Sequence, residues 1–225
     1  SEAVHRLAAG LVAEGCGPGS TVAVCAANRP EWIIACFAIW KAGAIVVPLD
    51  TQMSDEAMRH VLPDAEIRLI FTQASEVDRF RALAPEEPRL ALIQGEREGL
   101  PQWRDLCADQ DGPRSCLPQV QVQLDDIACI FYTSGTTGPP KGVPLTHRNI
   151  VFQIEALDKA RIVGPGDRVL VPLPLHHVYP FVIGMLVPLA LGLPVLLPRA
   201  LIGPHIVEAT STGGATVMIG VPRLY

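Results

Sequence analysis

The chain has 225 residues, 49% of them apolar, with a mean hydropathy of +0.29 and a formal net charge of −5. That length fits one large domain or two smaller ones, and that apolar content supplies a sizeable core with sheets buried on both faces. Acidic and basic residues are interspersed without a basic stripe, which argues against nucleic acid as a partner.

Val4, Leu7, Ala8, Leu11 and Val12 recur at helical spacing, so residues 2–14 are expected to form an amphipathic helix rather than a signal peptide. The chain opens at Ser1, almost inside this helix, and a preceding segment is expected. Gly15, Gly17, Pro18 and Gly19 end it, and 21–26 reads as a strand buried on both faces. Asn28, Pro30 and Glu31 open a helix, with Asn28 as the polar cap candidate; 32–40 is apolar nearly all round, and Gly43 closes it. A strand at 44–49, a Ser54-capped helix over 55–62, a strand at 68–72, a helix at 77–83 and a strand at 90–94 follow. This alternation predicts parallel βαβ units. Residues 95–125 read as a polar surface connection with a short helix at 103–108, and an apolar strand begins at Ile127.

Thr146 is placed as the cap of a helix over 148–159, residues 164–167 as a turn, and 168–172 as a strand. Helices at 181–190 and 202–211 and strands at 193–197 and 216–220 complete the map. No Asp, Glu, Lys or Arg occurs from Val169 to Pro198, a length sufficient to span a bilayer. Five prolines and the pair His176-His177 interrupt it, so a buried strand–helix–strand is expected instead of a transmembrane span. The six cysteines, 16, 25, 36, 107, 116 and 129, show no C-x-x-C pair and no zinc spacing, and no metal ligand is assigned. Cys25, Cys36 and Cys129 lie in apolar runs as small core hydrophobes, which points to a reducing compartment.

One stretch is denser in chemistry than any other: Tyr132-Thr133-Ser134-Gly135-Thr136-Thr137-Gly138-Pro139-Pro140-Lys141-Gly142-Val143. Three glycines let the backbone approach a ligand, four hydroxyls donate, and Lys141 adds a full charge on a flexible stem. Read as strand, loop, helix, this is a layout that holds phosphate. An exposed Gly/Ser/Thr turn is the bland alternative. The loop of P-loop nucleotide hydrolases is another, but there the lysine is followed by Ser or Thr, and here by Gly142.

This stretch closely resembles the phosphate-loop signature of the adenylate-forming superfamily, which includes acyl-CoA synthetases, beetle luciferases and peptide-synthetase adenylation domains. Two further segments resemble family motifs in the same order: Lys41-Ala42-Gly43 with Val47-Pro48-Leu49, a structural turn, and Leu173-Pro174-Leu175-His176-His177-Val178-Tyr179. The resemblance implies an α/β fold, a mostly parallel β-sheet with helices on both faces plus part of a second α/β subdomain. The expected division is 20–163 and 164–225, with helix 2–14 packed on the latter.

It also implies ATP-dependent activation of a carboxylic acid, of which a fatty acid is the expected class, to an acyl-adenylate, then transfer to coenzyme A. ATP, Mg²⁺ and coenzyme A are implied, with no bound prosthetic group. Thr133, Ser134, Gly135, Thr136, Thr137, Gly138, Lys141 and Gly142 are expected to hold the ATP phosphates. Lys141 and His177 carry the catalytic assignments, and His176, His177 and Tyr179 the acyl-adenylate pocket. The other reading of both histidines is as hydrogen-bonded core residues at a strand end. A cytoplasmic location is expected, with peripheral membrane contact left open.

The family's adenine motif, its ribose-binding aspartate segment and its late catalytic lysine are missing from this sequence. The chain is therefore expected to be part of an N-terminal domain, inactive alone, with exposed apolar surface that favours self-association. A peptide-synthetase-type adenylation domain and a luciferase-like enzyme are alternatives within the family. A non-catalytic nucleotide-binding module is the alternative outside it.

Overall fold

The computed structural model describes residues 1–84, 88–107, 120–133 and 138–222. The chain divides into two compact units, Ser1–Ala26 with Glu31–Thr146, and Ala27–Pro30 with His147–Tyr225. The expected boundary is thereby corrected twice. Helix 2–14 belongs to the first unit, and the helix after the candidate phosphate loop belongs to the second. For the first correction the reason is close packing: Gly10 lies so near the Leu106 backbone that a Cβ would collide with its carbonyl, and Arg89 pairs with Glu14.

The first unit is a six-stranded sheet. In chain order its elements are α1 (Glu2–Ala13), β1 (Thr21–Cys25), α2 (Pro30–Lys41), β2 (Ile45–Pro48), α3 (Asp55–Asp64), β3 (Ile67–Gln73), α4 (Val77–Leu83), β4 (Arg89–Gln94), β5 (Ile127–Thr133) and β6 (Lys141–Thr146). The spatial order is β4-β3-β1-β2-β5-β6, parallel throughout except that β6 runs antiparallel to β5. Every residue of β1 is buried, as a central strand covered on both faces requires. On one face Ala23, Cys25, Val47, Ile70 and Leu92 pack with Met58 and Val61 of α3 and Phe80 of α4. By strand alternation Val22, Val24 and Val46 face the other side, and all three are fully buried.

Local chemistry sets the element ends. Ser54 Oγ accepts from the Ala57 N–H at 3.2 Å and caps α3. Gly43, at φ 77°, ends α2: its N–H donates to Trp40 and that of Ala44 to Ile39, the paired bonds of a Schellman motif. The buried hydroxyls are satisfied, Thr21 donating to the carbonyls of Ala65 and Glu66 and Thr72 to that of Cys25. Cys25, Cys36 and Cys129 are fully buried, as core residues should be.

Two expectations fail in this unit. The helix expected at 103–108 is a series of turns through residue 106, and Ala108 lies outside the described residues. The N–H groups of Leu92 and Trp103 are instead spent pairing this segment with β4, which covers part of that edge strand. The segment after the candidate phosphate loop is not helical at once but forms β6, and the expected helix follows it. Pro144 sits in it opposite Ile130, a position that an outer strand tolerates because the missing N–H is not needed by a second neighbour.

The second unit contains α5 (His147–Ala160), β7 (Val169–Leu170), a π-helical segment Pro180–Leu186, α6 (Val187–Ala190), β8 (Val195–Leu196), α7 (Gly203–Gly213) and β9 (Val217–Met218). Its three strands are parallel in the order β8-β7-β9. The expected helix at 181–190 is thus two segments, the first widened so that the Val187 N–H reaches back to Val182. Gly184 allows that helix onto the sheet, since a Cβ there would lie 2.6 Å from Ile219 and 3.1 Å from Val171. Asn28 does not cap α2: its side chain is spent on the Leu173 carbonyl and the Leu175 N–H. Among the described residues no helix is long and apolar enough to cross a membrane.

Candidate functional site

The phosphate-loop candidate is mounted on the β5–β6 hairpin. β5 enters from the buried part of the sheet, with Ala128 and Cys129 fully buried, and ends at Thr133. β6 leaves from Lys141, and Thr133 lies directly opposite Lys141 in the antiparallel register, with Tyr132 opposite Gly142. The loop therefore springs from the carboxyl end of a strand that is parallel to its inner neighbour β2, where open α/β sheets place their ligands. Thr133, Gly138, Lys141 and Gly142 are all exposed. Ser134, Gly135, Thr136 and Thr137 lie outside the described residues.

The hairpin stems are held from below. The Trp40 indole N–H donates to the Ala128 carbonyl at 2.6 Å, and the Tyr132 hydroxyl donates to Asp64 Oδ2 at 2.6 Å. Burial, then the Asp64 carboxylate, push the Tyr132 phenol above its usual range, so it remains a neutral donor. Gly142 packs closely here: a Cβ would come within 3.1 Å of Ile130 Cγ2 and 3.2 Å of Tyr132 Cζ, so both side chains would have to give way by a few tenths of an ångström. Gly138 is different, because a Cβ there meets no described atom within 4 Å.

The histidine pair belongs to the second unit, between β7 and the π-helical segment. The rings of His176 and His177 meet edge to face with centroids 4.3 Å apart. His176 is half-buried, whereas His177, Val178 and Tyr179 are exposed. His177 is thus no core residue. The turn presenting it is fixed by its own backbone: its N–H donates to Pro174 at 3.2 Å and its carbonyl accepts from the Phe181 N–H at 3.0 Å.

The sequence reading missed three contributors here: β6, the Tyr132–Asp64 bond and the Asn28 clamp. β6 alone had a local signal, the apolar positions Val143 and Leu145 flanking Pro144, and Gly142 and Pro144 hid it. Among the described residues no group of three His, Cys, Asp or Glu is placed to hold a metal ion.

Comparison with known proteins extends this picture. A feruloyl-CoA synthase of Amycolatopsis is 32% identical over all of this chain, which spans 43% of that protein. A long-chain-fatty-acid–CoA ligase of Mycobacterium bovis is 34% identical over 81% of this chain and 32% of its own length. The crystal structure of apo MatB from Rhodopseudomonas palustris superposes with a TM-score of 0.83 at 26% identity, covering 100% of this chain and 43% of that one. The chain thus spans less than half the length of these relatives. The family model for AMP-binding enzymes matches residues 1–225, and the chain belongs to that family.

Proposed function

We propose that the protein containing this chain is an AMP-forming acid–thiol ligase. A carboxylate oxygen attacks the α-phosphorus of ATP, which arrives as its Mg²⁺ complex, and pyrophosphate leaves. The thiolate of coenzyme A then attacks the acyl carbon of the mixed anhydride, and AMP leaves. The first step places growing negative charge on pyrophosphate, so fixed donors and a cation are what it needs. The observation that carries this reading is Lys141, exposed and directly opposite Thr133 at the mouth of the hairpin.

In this scheme Lys141 neutralises the departing pyrophosphate. Thr133, Gly138, Gly142 and the hydroxyls of Ser134, Thr136 and Thr137 cradle the polyphosphate. His177 contacts the acyl-adenylate, with His176 and Tyr179 beside it. A fatty acid is proposed as the carboxylate, supported by the uncharged 169–198 segment and the long-chain relative. An aromatic acid is the second reading, favoured by the likeness to feruloyl-CoA synthase. The chain alone is proposed to lack ligase turnover, and to self-associate through apolar surface such as Phe152, 64% exposed, and Val207, 68% exposed. Sedimentation of the isolated chain tests the latter. A cytoplasmic location is proposed with it, which fractionation of cells checks.

The test is ATP–pyrophosphate exchange by the intact protein across acids of different length and shape. Lys141→Ala should lower kcat/KM for ATP at least about tenfold, the loss of one charge-assisted contact of about 1.5–3 kcal/mol. Unchanged exchange would remove the role assigned to Lys141. The preferred acid decides between the fatty and the aromatic reading.

A further inference from the structure

Asn28 stands far from the histidine pair in sequence but acts on the segment that leads into it. Its Nδ2 donates to the Leu173 carbonyl at 2.8 Å, and its Oδ1 accepts from the Leu175 N–H at 2.9 Å. One planar amide thus satisfies a carbonyl and the N–H two residues on, as a neighbouring strand would. Aspartate has the acceptor without the donor, leucine has neither, and a serine hydroxyl cannot reach both. Between these two anchored residues lies Pro174, whose carbonyl accepts from the His177 N–H at 3.2 Å. The His177 carbonyl in turn takes the Phe181 N–H, which joins the turn to the helical segment beyond. A short chain of hydrogen bonds therefore runs from Asn28 through 173–175 to His177, all inside the second unit.

We infer that Asn28 is a positioning residue for His177, and through it for the acyl group of the substrate. It touches no reacting atom. It fixes the backbone from which His177 projects, and its loss loosens recognition of the carboxylate while leaving ATP binding as it was. This rests on the reading of His177 given above, and the experiment separates the two.

Asn28→Ala, Asn28→Asp, His177→Ala and the Asn28→Ala/His177→Ala pair are compared in the intact protein by ATP–pyrophosphate exchange, with amide hydrogen exchange at Leu175. Asn28→Ala should raise the carboxylate KM about tenfold, keep the ATP KM within about twofold, and speed exchange of the Leu175 N–H. Asn28→Asp keeps the acceptor, so it should leave Leu175 protected and raise the carboxylate KM less. In the His177→Ala background Asn28→Ala should add nothing. If His177→Ala raises the carboxylate KM and Asn28→Ala does not, or if the two effects add, the positioning role is wrong. If His177→Ala changes nothing, the reading of His177 has failed and the inference falls with it. Should Asn28→Ala not fold, Asn28→Asp decides: unchanged carboxylate KM beside an affected His177→Ala overturns the inference.

Discussion

The Tyr132 hydroxyl donates to Asp64 at 2.6 Å, which joins the last residues of β5 to the last residue of α3. The ring lies against Gly142 across the hairpin, so a single side chain touches both strands of the β5–β6 hairpin and the end of α3. Tyr132→Phe and Asp64→Ala should each destabilise the protein by about 0.5–1.5 kcal/mol, and the double variant by no more than either alone. Urea denaturation measures this. Additive losses would mean that the two side chains act independently.

The same bond predicts an alkaline signature. The Tyr132 phenol is raised in the folded state by burial and by Asp64, so its contribution to stability is fully present below the ordinary phenol value near 10 and is lost as pH climbs through the raised value. Near-ultraviolet titration should show one tyrosine ionising late, and Tyr132→Phe should abolish that late phase.

Gly142 and Gly138 should respond differently to alanine. At Gly142 the new methyl would press on Ile130 and Tyr132, so Gly142→Ala should lower stability by about 1 kcal/mol or somewhat more. At Gly138 no described atom is near, and stability should change by less than about 0.5 kcal/mol. Under the proposed function Gly138→Ala should nonetheless weaken ATP use, because the polyphosphate and not the protein would meet the methyl. Thermal melts paired with exchange kinetics check both halves.

Acid stability should register Asp167. Its carboxylate accepts from the Gly164 N–H at 2.8 Å and from the Thr216 hydroxyl at 2.7 Å, and these bonds, the first above all, hold it below its ordinary value. A depressed carboxylate stabilises the fold above the unfolded value of 3.8 and loses that contribution as pH falls through the lower, folded one. Asp167→Asn should therefore narrow the gap in melting temperature between neutral pH and pH values below about 4. An unchanged gap would show that the turn at 164–167 does not depend on the charge.

Thiol reagents should find the described cysteines in a fixed order. Burial pushes Cys25 and Cys129 up to about 12 and Cys36 well above its usual range. Cys107 is half-exposed, so it should be alkylated first under native conditions, with the three core thiols protected until unfolding. Peptide mapping after brief iodoacetamide treatment reads the order.

The sequence by itself determined what depends on neighbours along the chain. Helix ends followed from Ser54 and Gly43, strands from short apolar runs, and the family from a contiguous loop around Lys141, because capping, periodicity and a local motif are all written within a few residues. The tertiary structure alone decided which distant segments pair. Asn28 reads as a helix cap until Leu173 and Leu175 claim its amide, Asp64 carries no signal until Tyr132 finds it, and the stretch from Lys141 shows no strand until β5 supplies the ladder that a segment with Gly142 and Pro144 cannot form unaided. The partners of the Asn28 and Tyr132 side chains are set by backbone geometry across dozens of residues, and no local pattern encodes them, while the weak local signal of β6 becomes a strand only beside β5.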